Sequence, residues 1–315
     1  MTELKEYVKD AQNIVVAGHV APDGDCVGSV IAIYRYIRKL FPEKKVTAYL
    51  ENLPAVYDFL DPDNSIISNE LDNDEVDLFI AADTSSIDRL GIVGEVFKKA
   101  KSTMVIDHHV SNHGYGQVNI IETPLSSACE LIATLMAEED IDKDIASAIY
   151  TGMVTDSGGF RFSATSRKTM NIAGMLMEKG IDHAFIMDRC MYSRTYNQAQ
   201  LLGRALLESM LVMDGKCIIT TVTKKMMDIY ECLEEDTEGI VDQLRVTRGV
   251  EVAVFLRERG EQEYKVSLRS NSYIDVSRVA EYFDGGGHIR AAGFTMRGSI
   301  HDIVNNIMEQ INLQM

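Results

Sequence analysis

Basic residues are scarce in this chain. Lys and Arg number 31 against 48 Asp and Glu in 315 residues, a formal net charge of -17. That balance argues against a basic surface gripping long nucleic acid, so long duplex DNA is not an expected partner. Small phosphorylated substrates stay open, because carboxylates that hold cations make a site locally positive. Cysteine is sparse too: Cys26, Cys129, Cys190, Cys217 and Cys232 are odd in number, scattered and without C-x-x-C spacing. They suit a reducing cytoplasm and carry no zinc signature. No apolar run approaches the roughly 20 residues that span a bilayer, so no membrane partner is expected. The stretch from Met1 to Asp10 is charged and lacks the apolar segment of a secretory signal. Internal repeats and low-complexity linkers are also missing. A cytoplasmic globular protein is the expectation, and a hydrophobic content of 46% with 25% charged residues fits it. The length allows two domains.

Ile14-Val15-Val16-Ala17-Gly18-His19 reads as a short buried strand, followed by the loop Val20-Ala21-Pro22-Asp23-Gly24-Asp25. A helix over 26–40 is predicted from apolar residues at Val27, Val30, Ile31, Ile33, Tyr34 and Ile37. Strands follow at 46–50, at 76–82 and at Met104-Val105-Ile106, with a short helix at 53–60 and Pro54 in its first turn. Strands alternating with helices predict a doubly wound, mainly parallel α/β domain over 1–190. Two helices are expected over 127–155 and another over 166–179, ended by Gly180. Residues 184–210 read as continuous helix, which makes 191–210 a connector. Strands at 216–222, 250–257 and 264–269, interleaved with helices, predict a smaller second α/β domain over 211–315. The active-site cleft is expected between the two domains.

Four clusters carry chemistry: His19-x-x-x-Asp23-x-Asp25, Asp83, Asp107-His108-His109 and Asp156. Three of them directly follow an apolar strand, where open parallel sheets bind ligands. So many carboxylates and imidazoles at one place would repel one another unless cations were present. Mixed imidazole and carboxylate donors suit Mn²⁺ or a similar first-row divalent ion better than Ca²⁺. The donors outnumber what one ion needs, and two ions about 3.5–4 Å apart are a standard arrangement for attacking phosphate esters. For Asp23 and Asp25, beside Pro22 and Gly24, a turn or helix cap is the competing reading. The 16 methionines read as core and interface, which leaves room for a homodimer. His113 could line the cleft; His183 and His301 read as surface groups.

The segments His19 to Ser29, Ala82-Asp83-Thr84, Asp107-His108-His109 and Thr155-Asp156-Ser157-Gly158 resemble the four motifs of the DHH phosphoesterase superfamily. Gly285-Gly286-Gly287-His288 resembles the glycine-rich motif of its DHHA1 substrate-binding domain. The compact size is similar to the NrnA-type members, which act as nano-RNases and as phosphatases of 3′-phosphoadenosine 5′-phosphate (pAp).

The resemblance implies that His19, Asp23 and Asp83 hold one divalent ion, and Asp25, Asp83, His108 and Asp156 the other. The ions would be Mn²⁺, with Mg²⁺ or Co²⁺ as substitutes, and would activate a bridging water. His109 would face the scissile phosphate, and Asp107 would orient an imidazole. In the second domain, Arg269, Ser270, Gly285, Gly286, Gly287 and His288 would bind substrate, with Arg290 a weaker candidate. Arg89 reads as supporting the fold near the site, with a phosphate contact as the other reading. Short RNA oligonucleotides and pAp are the implied substrates. Hydrolysis of cyclic di-AMP or pApA is the alternative inside the superfamily, and a metal-bound nucleotide sensor without turnover the alternative outside enzymology.

Overall fold

The computed structural model describes residues 3–69, 71 and 75–315. They fall into two compact units, Met1–Ser193 and Arg194–Met315.

The first unit is built on six strands: β1 Asn13–Ala17, β2 Lys45–Tyr49, β3 Ile66–Ile67, β4 Leu78–Ala82, β5 Ser102–Asp107 and β6 Val118–Ile121. They lie in the order β3-β2-β1-β4-β5-β6, and each neighbouring pair is parallel. Strands buried on both faces need continuous apolar runs, which is what β1, β4 and β5 supply. Successive side chains point to opposite faces. Ile14, Val16, Ile80, Ala82, Met104 and Ile106 join one core cluster, while Val15, Ala17, Phe79, Ala81 and Val105 join another. The chain runs outward from β1 through β2 to β3, then returns to β4 on the other side of β1. That reversal opens a crevice past the carboxyl ends of β1 and β4, the place where such sheets take ligands.

Over the larger core cluster, the helix Gly24–Leu40 packs on the helix Lys143–Asp156 at close range. A Cβ added to Gly28 would stand 2.4 Å from the carbonyl oxygen of Ala148. One added to Gly152 would stand 2.3 Å from Cys129 Sγ and 2.7 Å from Asp25 Oδ1. Only glycine lets these backbones approach so closely.

Where the sequence reads as one helix over 184–210, the structure has a helix His183–Met187, a π-helical turn Asp188–Tyr192 and a separate helix Tyr196–Leu207. Thr195 starts the last of these with a capping box, its side chain taking the amide of Gln198 while Gln198 reaches back to the amide of Thr195.

The second unit is a mixed sheet of β7 Met210–Val212, β8 Cys217–Val222, β9 Val252–Gly260, β10 Glu263–Ser270, β11 Gly286–His288 and β12 Ala291–Arg297. Its order is β11-β12-β10-β9-β8-β7; β8 and β9 are parallel and the other pairs antiparallel. Helices Val276–Tyr282 and Ile300–Asn312 cover one face, and Tyr196–Leu207 with Ile240–Arg245 cover the other. Both units are thus α/β. Among the described residues no helix is long and apolar enough to cross a membrane.

Candidate metal centre

Three adjacent strands deliver their ends to one point: His19 lies two residues past β1, Asp83 one past β4, and Asp107 closes β5. Asp83 extends the ladder by donating its amide to Ile106 O at 2.9 Å, then turns with φ at 50°. Few non-glycine residues adopt that conformation, and Asp is among those that do. The turn sends a fully buried carboxylate back over the strand ends.

Two imidazoles flank it. His19 Nδ1 is 2.8 Å from Val20 O, and its Nε2 stands 3.7 Å from Asp83 Oδ2. His108 Nδ1 is 3.2 Å from Leu125 O, and its Nε2 stands 3.7 Å from Asp83 Oδ1. A main-chain carbonyl takes the Nδ1 proton in each ring, leaving the Nε2 lone pair facing inward, the tautomer a metal ligand needs. The His108 Nε2 also lies 3.7 Å from Asp25 Oδ2 and 3.4 Å from Asp156 Oδ2. Asp83 therefore offers one oxygen to each imidazole.

Three carboxylates here, Asp25, Asp83 and Asp156, are costly without a cation. Burial first, then Asp25 and the other nearby carboxylates, push the Asp83 carboxyl well above its ordinary range. Burial and Asp25 push Asp156 up to about 7. Burial also raises Asp25, although its oxygens accept the amides of Ala128 at 2.6 Å and Cys129 at 2.9 Å, at the start of the helix Ala128–Thr134. Asp83 Oδ1 is buried with no hydrogen-bond partner among the described residues. An unpaired buried acceptor among repelling carboxylates is what a divalent ion would satisfy. Among the described residues, three groups have ligand atoms within 4.8 Å of one another: His19 with Cys26 and Asp83, Asp83 with His108 and His109, and Asp25 with His108 and Asp156.

His109 is held differently. Its Nδ1 lies 2.8 Å from Asp107 Oδ1, which also takes the His108 amide at 2.9 Å. Asn112 donates to Asp107 Oδ2 at 2.7 Å and to Thr84 O at 3.1 Å, clamping β5 to the turn after Asp83. The bond to Asp107 raises the His109 pKa against the opposing effect of burial. Burial alone would raise Asp107, but the bonds from His109 and Asn112 bring it below its ordinary range.

The structure thus gathers His19, Asp25, Asp83, Asp107, His108, His109 and Asp156. Asp23 sits at the rim with 62% of its side chain exposed; its Oδ1 lies 3.8 Å from His19 Nε2. That same oxygen caps the helix Gly24–Leu40 by accepting the amides of Asp25 and Cys26. Both readings of Asp23 therefore have a footing. Two neighbours of the centre carry no expectation from the sequence: the buried Cys26 thiol, beside His19 and Asp83, and Asn112. The signal for Cys26 was its place directly after Asp25; Asn112 had none, since its partners come from two strands.

In the second unit, Arg269 is the penultimate residue of β10, with its Nε 3.4 Å from Asp242 Oδ1. Ser270 is buried, its hydroxyl donating to Ile289 O at 3.3 Å. Gly286 to His288 form strand β11, paired with Ala291 to Gly293. A Cβ at Gly285 would lie 2.4 Å from Gly293 O, and one at Gly287 2.5 Å from Ala291 O, so both glycines serve close hairpin packing. His288 is exposed, and Arg290 Nη1 donates to Ile274 O at 2.9 Å.

Comparison with known proteins bears on both units. Residues 13–153 match the model of the DHH family, N-terminal domain, and residues 218–313 match the DHHA1 domain. The chain is 29% identical to the bifunctional oligoribonuclease and PAP phosphatase NrnA of Thermus thermophilus, over 95% of this chain and 89% of that protein. It is 26% identical to the protein of the same name from Bacillus subtilis, over 93% and 92% of the two chains. A solved structure, an exopolyphosphatase-related protein from Bacteroides fragilis, superposes with a TM-score of 0.90 at 27% identity, covering 98% of this chain and 94% of that one. The chain thus carries a DHH-family N-terminal domain followed by a DHHA1 domain.

Proposed function

We propose that this protein is a metal-dependent phosphoesterase that hydrolyses short RNA oligonucleotides to 5′-mononucleotides and pAp to AMP. The observation that carries the reading is Asp83, with one oxygen turned to His19 and the other to His108. A carboxylate so placed suits two ions that share it. The names of the relatives, oligoribonuclease and PAP phosphatase, supply the substrate class.

His19, Asp23 and Asp83 would hold one ion, and Asp25, Asp83, His108 and Asp156 the other, with Mn²⁺ the best match to this mixed donor set. Bound divalent ions polarise phosphoryl oxygens and lower the pKa of water toward neutrality. His109, oriented by Asp107, whose carboxylate favours the protonated ring, would donate to a phosphate oxygen as negative charge builds there. Asp107 keeps that imidazole from rotating. In the second unit Arg269, steadied by Asp242, together with Ser270, Gly285, Gly286, Gly287 and His288, would hold the nucleotide. Recognition of one short end needs no extended basic track, which suits a chain of net charge -17.

The test is a Mn²⁺-dependent time course on the dinucleotide pApA. The intact protein should yield AMP, EDTA should stop it, and Asp83→Ala should reduce it to background. Intact protein that binds Mn²⁺ yet leaves both pApA and pAp unchanged would refute the assignment.

A further inference from the structure

The His19 ring has a second neighbour that ion binding does not use. Arg89 Nη2 lies 3.0 Å from His19 Nδ1, the nitrogen that also faces Val20 O at 2.8 Å. One nitrogen cannot both donate to the carbonyl and accept from the guanidinium. Were it the acceptor, the ring proton would move to Nε2, whose nearest carboxylate oxygens at 3.7 and 3.8 Å lie beyond hydrogen-bond reach. The 2.8 Å bond to Val20 therefore fixes the proton on Nδ1, and the guanidinium gains no acceptor there.

Arg89 is thus an exposed cation with no carboxylate in ion-pair range among the described residues, parked beside an acidic centre. Its position is set by the backbone. Arg89 O accepts the Val20 amide at 2.7 Å, and its own amide donates to Ser86 O at 3.1 Å. Two residues on, Gly91 turns with φ at 58°, and a Cβ there would stand 2.5 Å from Val20 Cγ1. The segment is locked onto the loop that carries His19.

Charge counting gives the cation a task. Asp23, Asp25, Asp83 and Asp156 bring four negative charges, which two divalent ions cancel. The Asp107 oxygens are taken up by the His109 ring, the His108 amide and Asn112. The loaded centre is then near neutral, and an arriving phosphate needs a cation of its own. A guanidinium matches two phosphate oxygens with its planar fork.

We propose that Arg89 is a phosphate-binding residue, which takes the non-bridging oxygens of the substrate phosphate at the His19 end of the centre. The inference rests on the phosphoesterase reading above, in that the phosphate is drawn over the same carboxylates.

The experiment is calorimetric titration of AMP into the Mn²⁺-loaded protein, with Arg89→Ala and Arg89→Lys beside it and Mn²⁺ affinity followed by electron paramagnetic resonance. Loss of a charged hydrogen-bond pair predicts AMP binding weaker by about 10- to 100-fold in Arg89→Ala. Arg89→Lys should recover part of that loss, and Mn²⁺ affinity should stay unchanged in both. Arg89→Gln, which keeps the side-chain volume, carries the test where the alanine variant does not fold. Equal AMP affinity in the variants overturns the proposal. So does a fall in Mn²⁺ affinity that accounts for the AMP loss, because Arg89 would then act through His19. Intact protein that binds no AMP also overturns it. Binding is read without turnover, so AMP binding without pApA hydrolysis would defeat the phosphoesterase assignment and leave the role of Arg89 standing.

Discussion

An imidazole takes its chemistry from whatever its second nitrogen touches, and the three at this centre divide on that basis. His19 and His108 give Nδ1–H to the carbonyls of Val20 and Leu125, and each presents Nε2 as a lone pair. His109 gives Nδ1–H to a carboxylate, which favours its charged form. In the metal-free protein His109 should titrate above the ordinary histidine value of about 6.5. Asp107→Asn should bring it down to that value or below, as followed by NMR of the ring protons. A residue with an unmoved titration would show that the 2.8 Å contact does not govern its charge. Sequence alone points to the His108–His109 pair but does not separate the two rings. The partner of His108 is a main-chain oxygen 17 positions away, and no side-chain pattern marks it.

At the scale of elements, the site depends on how closely two helices meet. The Asp25 carboxylate is wedged between the start of the helix Ala128–Thr134 and the backbone at Gly152. A methyl group at Gly152 would intrude on both Asp25 Oδ1 and Cys129 Sγ. Gly152→Ala should therefore cost about 1–3 kcal/mol by overpacking, measured by denaturant titration in EDTA. Mn²⁺ affinity should fall with it, because the displaced carboxylate is a proposed ligand. Unchanged affinity with lowered stability would separate the packing role from the site.

The strands behind this geometry were legible, since β1, β4 and β5 are apolar runs that end in Gly-His, Asp and Asp-His-His. The short strands β3, β6 and β7 were not, because two to four residues on a sheet edge carry too little pattern. The break in the span 184–210 was legible in principle. Thr195 and Gln198 have capping-box spacing, but helical periodicity on both sides masked it. In the second unit the glycine run reads from sequence as an exposed anion cradle. Its packing against Gly293 and Ala291 depends on a hairpin that the sequence does not spell out.

For the whole molecule, the raised carboxyls make stability depend on pH in a particular direction. A carboxyl whose folded pKa exceeds its unfolded value of about 3.9 stabilises the fold fully only below that value. Its contribution is lost as pH rises through the folded pKa, which for Asp156 is about 7. Asp25 and Asp83 shift in the same direction. Asp107 works oppositely, since its lowered pKa withdraws stability only on the acid side. In EDTA the melting temperature should therefore drop between about pH 5 and about pH 8 through the carboxyl cluster. Mn²⁺ should restore it, by about 2.7 kcal/mol per ion at a hundredfold excess over its dissociation constant. Calorimetric scans at both pH values test this. A Mn²⁺ effect as large at pH 5 as at pH 8 would mean the cluster is not where the ions bind.

The residues at this centre come from β1, β4, β5 and two helices, spread over 138 positions from His19 to Asp156. Parallel strands pair only after long stretches of chain have been brought round, so such contacts form late and slowly. No fragment of the sheet contains the whole set. If the centre holds ions as proposed, it would act as a completion check on the folding of the first unit. An ion would gain its full complement of ligands only when β1 has β4 beside it and β4 has β5. Newly made chains would acquire tight metal and catalytic competence together, in one final step.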